Sequence, residues 1–208
     1  MVNTTKAKSF SLASVMFLSI FLSGCIGLDS SVDPRASLLA YPLSIQEGET
    51  VTLDATDSEA VDGVITDFEW DFGDGQKAET VIGFTTYTYE TFGVYTVTLI
   101  VRNSVGGQDE ISTSISVNGA PVLNLTVPEQ VKTGDTAFLD ASNSYDPEGK
   151  ELYYSWDLDW SEDSDSDGDQ RNDIDATTPT VLLPTNNSGK IKGSLVVSDG
   201  DGAVATEA

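Results

Sequence analysis

Beyond residue 36 the apolar side chains alternate with polar ones in short runs, and nowhere do they recur at the spacing of an amphipathic helix. The first half carries TVTLDAT at 50–56, TTYTY at 85–89, VYTVTLIV at 94–101 and ISTSISV at 111–117. The second half carries PVLNLTV at 121–127, TAFLDAS at 136–142, ELYYSWDL at 151–158 and GSLVVSD at 193–199. Valine and threonine dominate these runs, being stiff at Cβ and suited to a pleated surface, while Gly, Asn and Asp fill the gaps. Short strands with turn signals about every ten residues predict an all-β fold built as a sandwich.

The two halves are copies of one unit. Sliding the chain by 86 residues lays Gly48 on Gly134, Thr50 on Thr136, Leu53-Asp54-Ala55 on Leu139-Asp140-Ala141, Ser58 on Ser144, Gly63 on Gly149 and Trp70-Asp71 on Trp156-Asp157. A gap-free match of that kind indicates duplication. It predicts two tandem immunoglobulin-like β-sandwiches of about seven strands each. The division falls at Asn118-Gly119-Ala120-Pro121, where turn formers cluster.

The order GETVTLDATDS at 48–58, DG at 62–63, WDFGDG at 70–75 and YTYETFGVYTVTLIVRN at 87–103 resembles a polycystic kidney disease (PKD) domain, an immunoglobulin-like sandwich of extracellular proteins. The resemblance covers 36–118. The second copy, from 120 to 208, keeps LDASNSYDPEG and Trp156-Asp157 but has DLDW where the first has DFGDG, and reads as a divergent PKD-like domain. Its LVVSDGDG at 195–202 is similar to the family's penultimate strand and turn, and the closing AVATEA leaves the last strand several residues short, so truncation there is expected. In such a sandwich Trp70 and Trp156 fill the space between sheets, Gly73 and Gly75 take positive φ around Asp74, and Tyr95 supplies a tyrosine-corner hydroxyl.

The N-terminus points outward from the cell. MVNTTKAKS carries Lys6 and Lys8 and no acid, and the apolar FSLASVMFLSIFLSG follows it to Gly24. These read as the n- and h-regions of a signal peptide, the apolar run being shorter than the roughly 20 residues of a membrane-spanning helix. The run ends in Leu22-Ser23-Gly24-Cys25, which resembles the lipobox of prokaryotic lipoproteins, and Cys25 is the one cysteine of the chain. The resemblance implies a removable signal at 1–24, a lipid on Cys25, a tether over 25–35 and a cell-surface location facing outward. The alternatives are an ordinary cleaved signal and an uncleaved anchor helix.

The second copy contains an acidic stretch, 157–175, within a run of ten carboxylates from Glu151 to Asp175 against a single Arg171. Alternate Asp163, Asp165, Asp167 and Asp169 with Gly168 allow a sharp turn that folds oxygens toward one point, which suits calcium with its six to eight oxygen ligands. Two registers are open. Counted as an EF-hand from Asp163, the twelfth position is Ile174 in place of a bidentate glutamate. Counted from Asp165, DSDGDQRNDID is similar to thrombospondin type 3 loops, with Asp165, Asp167, Asp169 and Asp173 as ligands and Asp175 close by. The bland alternative is a solvated acidic loop. Against it, carboxylates about 6.5 Å apart repel by roughly 2.5 kcal/mol at an effective dielectric of 20, so a bound ion explains the cluster better.

Composition narrows the function. The 208 residues hold 34 acidic and 10 basic side chains and no histidine, for a net charge of −24. That charge excludes a nucleic-acid binder held by phosphates. Without histidine or a second cysteine, Ser-His-Asp and Cys-His catalysis and imidazole or thiolate zinc sites are absent. The expectation is a non-enzymatic surface lipoprotein that adheres, spaces or binds a protein or carbohydrate ligand. Its rival is the N-terminal accessory region of a secreted protease or polysaccharide hydrolase. Tyr153, Tyr154 and Trp160 are candidates for stacking on sugar rings.

Overall fold

A computed structural model describes residues 32–158, 160, 166, 168–171, 173–183, 185, 186 and 188–207. Among these residues every regular element is a strand. The first sandwich has eight: β1 (Leu39–Tyr41), β2 (Ser44–Gln46), β3 (Thr50–Asp54), β4 (Ile65–Asp71), β5 (Lys77–Thr80), β6 (Phe84–Thr88), β7 (Gly93–Asn103) and β8 (Gln108–Asn118). They form a three-stranded sheet, β1-β3-β6, and a five-stranded sheet, β2-β8-β7-β4-β5. The pairing of β2 with β8 is parallel, and the others are antiparallel.

Alternation along the strands decides which side chains face inward. Val97, Leu99 and Val101 of β7 are fully buried, as are Ile115 and Val117 of β8 and Val51 and Leu53 of β3. Trp70 of β4 lies at their centre, 0% exposed, and its Nε1–H donates to Thr80 Oγ1 at 3.1 Å. Tyr89 closes one end with its hydroxyl donating to the Phe72 carbonyl at 2.7 Å. The Tyr95 hydroxyl donates back to the Thr91 carbonyl at 2.9 Å, which is the expected corner. Gly73 and Gly75 have φ of 84° and 94°, and a Cβ on Gly73 would lie 2.5 Å from the Thr96 carbonyl oxygen.

The second sandwich has β9 (Phe138–Asp140), β10 (Tyr153–Asp157), β11 (Thr180–Leu182), β12 (Ser194–Ser198) and β13 (Val204–Glu207). Its sheets are β9-β11 and β10-β12-β13. These pairings repeat those of the first: β9 with β11 as β3 with β6, and β10-β12-β13 as β4-β7-β8. Trp156 is 2% exposed among Ala141, Leu195 and Val197, with Nε1–H donating to the Thr178 carbonyl at 2.8 Å.

Two expectations differ from the structure. Residues 121–127 are not a continuous strand: only Val122 bridges Tyr145 and Thr126 bridges Asp140. Residues 32–35, expected in the tether, lie against the first sandwich. Arg35 bridges Glu59, the Asn103 amide donates to the Val32 carbonyl at 2.7 Å, and Pro34 is buried. Gly107 permits that approach, since a Cβ there would come within 2.9 Å of Val32 O.

Candidate functional site

Cys25, Asp163, Asp165 and Asp167 lie outside the described residues. Of the other three expected ligands, Asp175 lies beside the end of β10. The Asp175 N–H donates to the Trp156 carbonyl at 2.7 Å, and Asp175 Oδ2 accepts from the Leu158 N–H at 2.7 Å, tying the loop's exit to β10. Asp169 Oδ1 accepts from the Arg171 N–H at 3.1 Å. Asp173 is 5% exposed, and Asp157, at the loop's entry, is 3% exposed. Carboxylates are buried this deeply when hydrogen-bonded, paired or bound to a metal, and an all-carboxylate donor set fits a hard cation. Among the described residues no three acidic side chains converge closely enough to hold one. Ser166 and Gly168 both have positive φ, at 63° and 97°.

Of the three aromatic candidates, Tyr153 is 55% exposed, while Tyr154 and Trp160 are half-buried. Tyr154 packs on the second core, and the Arg171 guanidinium sits 5.2 Å over the Trp160 ring. The three do not form one flat platform of exposed rings.

A polar junction joining the sandwiches was not foreseen. Asn118, at the end of β8, donates from Nδ2 to Asp199 Oδ2 at 2.5 Å and to Gln46 Oε1 at 3.0 Å. Gln46 donates to the Asp201 carbonyl at 2.8 Å, and the Gly119 N–H to Glu148 Oε2 at 2.7 Å. The Lys150 ammonium stands among these groups, bonded to Asn118 Oδ1, 2.7 Å from Asp201 Oδ2 and 4.0 Å from Glu148 Oε1. Asp146 Oδ1 accepts from the N–H groups of Glu148 and Lys150 and shapes the turn that presents both side chains. Burial pulls the Lys150 ammonium down, but Asp201, Glu148 and Asp199 outweigh it and hold its pKa above the ordinary lysine value. Burial likewise pushes the Asp199 carboxyl up. The Asn118 amide, the N–H groups of Asp201 and Ala203 and the Lys150 charge more than offset this and hold it below the usual range. The sequence signal was faint: three turns of the second copy, at 118–121, 146–150 and 199–202, all carry polar or charged side chains.

The family model of the PKD domain matches residues 31–117. That stretch is similar to PKD domains. Its first residues are those found docked on the first sandwich, so the matched unit begins before the expected boundary at 36. Over 85 residues the chain is 36% identical to collagenase ColA of Clostridium perfringens, covering 41% of this chain and 7% of the collagenase. The PKD1 domain of the Vibrio cholerae metalloprotease PrtV is 31% identical with a TM-score of 0.36, across 41% of this chain and 98% of that domain. A structure of carbohydrate-binding modules from the β-sandwich superfamily is 20% identical with a TM-score of 0.43, across 80% of this chain and 55% of that one.

Proposed function

We propose that the chain is a non-enzymatic surface module. It is a lipid-anchored pair of PKD-like sandwiches, the second divergent, that spaces, adheres or binds a protein or carbohydrate ligand. The observations that carry this reading are the PKD-domain match over 31–117 and the likeness of 85 residues of the chain to a segment of a collagenase of which they are only 7%. A compact sandwich recurring within a larger protein behaves as a portable module, and its buried tryptophan and tyrosines serve packing. The polar junction supports a spacing role, since it joins the two units through side chains as well as the chain itself.

In this reading Asp163, Asp165, Asp167, Asp169, Asp173 and Asp175 hold calcium, which orders the acidic loop and does no chemistry. Extracellular sites of this type bind with dissociation constants of roughly 10⁻⁴ to 10⁻³ M, and at ten times that concentration the ion stabilises the domain by about 1.4 kcal/mol. Calorimetry on the full chain should give heat of binding at millimolar calcium, lost in Asp165→Asn/Asp167→Asn; no heat in the wild type refutes the site. The anchor is tested by metabolic labelling with a lipid precursor. The wild type should be marked and Cys25→Ala should not, and equal marking rejects the anchor.

The second reading, an accessory region of a larger secreted protease or polysaccharide hydrolase, is favoured by the collagenase match. An open reading frame continuing past Ala208 into a catalytic domain would select it. A stop codon there would select the free-standing module.

A further inference from the structure

The second sandwich is open at one end. Between the segments 128–133 and 188–193 and the end of β10 lies a solvent-connected cavity of about 880 Å³, large enough for a small organic molecule. Val127, Leu158 and Ile191 contribute apolar surface to it. Trp160 also borders it, and its Nε1–H is buried with no hydrogen-bond partner among the described residues. A buried donor without an acceptor is unfavourable, so a donor in a cavity wall points to an occupant that carries an acceptor.

The same cavity carries positive charge, which is scarce in this chain. Lys190 and Lys192 line it, and among the described residues neither makes an ion pair, whereas Lys77, Arg102 and Lys150 are all paired. The segment bearing these lysines is fixed beside the indole. The Trp160 backbone N–H donates to the Lys192 carbonyl at 3.2 Å, and Gly193 passes so close to β10 that a Cβ would lie 2.3 Å from Asp157 O. Two carboxylates also border the cavity, Glu129 and Asp157. The lysines lie together on 190–192, so any preference for an anion is local to that segment.

We propose that this cavity binds a monoanion with an apolar body, of the class of medium-chain aliphatic carboxylates. The chain lies on Val127, Leu158 and Ile191, and the carboxylate accepts from the Trp160 indole N–H and pairs with Lys190 and Lys192. This goes beyond the surface-module reading and does not depend on it.

The test titrates the full chain with decanoate, decanol and decylamine below their aggregation concentrations, following tryptophan fluorescence and heat. The expected result is saturable binding of decanoate at one equivalent, with decanol weaker and decylamine weakest. Lys190→Gln/Lys192→Gln should weaken decanoate by about tenfold and leave decanol unchanged, and Trp160→Phe should weaken decanoate severalfold, these being hydrogen bonds to a charged group. Both lysines are exposed, so the double variant should fold, which far-UV circular dichroism checks. Unsaturable binding, decylamine binding as tightly as decanoate, or no response to the double variant each overturns the proposal.

Discussion

Replacing Lys150 by methionine keeps the length and apolar stem of the side chain and removes the one ammonium at the junction. At 2.7 Å the Lys150–Asp201 pair is worth about 6 kcal/mol at an effective dielectric of 20 and about 1.5 kcal/mol in water. The Lys150 side chain is 30% exposed and that of Asp201 62%, so the lower figure is the closer one. The bond to the buried Asn118 adds about 1 kcal/mol, for an expected loss of roughly 2 to 3 kcal/mol. Urea denaturation followed by tryptophan fluorescence measures it, with Lys77→Met, which breaks an exposed pair with Asp71, as the control that should leave stability unchanged.

The pH dependence fixes the sign. The Lys150 pKa is raised in the fold, so its contribution is complete below the unfolded value of about 10.4 and is lost as pH rises through the higher folded value. The Asp199 pKa is depressed, so its contribution is present above about 3.9 and is lost as pH falls through the folded value. The effect of Lys150→Met should therefore be full at pH 7 and smaller at a pH below the depressed Asp199 value. An unchanged stability at pH 7, or an equal loss at both pH values, refutes the argument that this charge holds the junction.

Trp70→Ala and Trp156→Ala should each cost about 3 to 5 kcal/mol, because each empties the centre of a core; calorimetric unfolding reads both. Gly73→Ala should cost about 2 kcal/mol or more, through both its positive φ and the Thr96 carbonyl 2.5 Å from the new Cβ. Gly75→Ala, with open space around it, should cost about 1 kcal/mol, and chemical denaturation compares the two. Burial and the Asp74 carboxylate that accepts from its hydroxyl push the Tyr87 phenol up to about 12. Absorbance titration should therefore show a tyrosine ionising well above pH 10, shifted down by Asp74→Asn.

What could be read from the sequence followed from local rules. Alternation located β3, β6, β7, β8, β9, β10 and β12 within a few residues, because one buried face forces a period of two. The roles of Trp70, Trp156 and Tyr95 followed from the same pattern set against a sandwich. The run at 121–127 failed because apolar alternation alone does not supply a pairing partner, and there the backbone meets its neighbours only at isolated bridges. Residues 32–35 look like linker by composition, yet Asn103, Gly107 and Gln108 receive them. The junction was hidden because Gln46, Asn118, Lys150 and Asp199 are far apart in sequence, and each sits at a strand end or in a turn that would be polar in any case. The cavity depends on how residues 188–193 pass the end of β10, which no periodicity encodes.

The central claim is that each half is a sandwich organised about one inward tryptophan, with the third at the edge of the second. The protein labelled with 5-fluorotryptophan tests it by fluorine NMR, each signal assigned by Trp→Phe substitution. Trp70 and Trp156 should give sharp, dispersed signals insensitive to a solvent-borne paramagnetic quencher, while the half-buried Trp160 should respond to it. A Trp156 signal quenched as readily as that of Trp160, or merged near the unfolded position, would contradict the account.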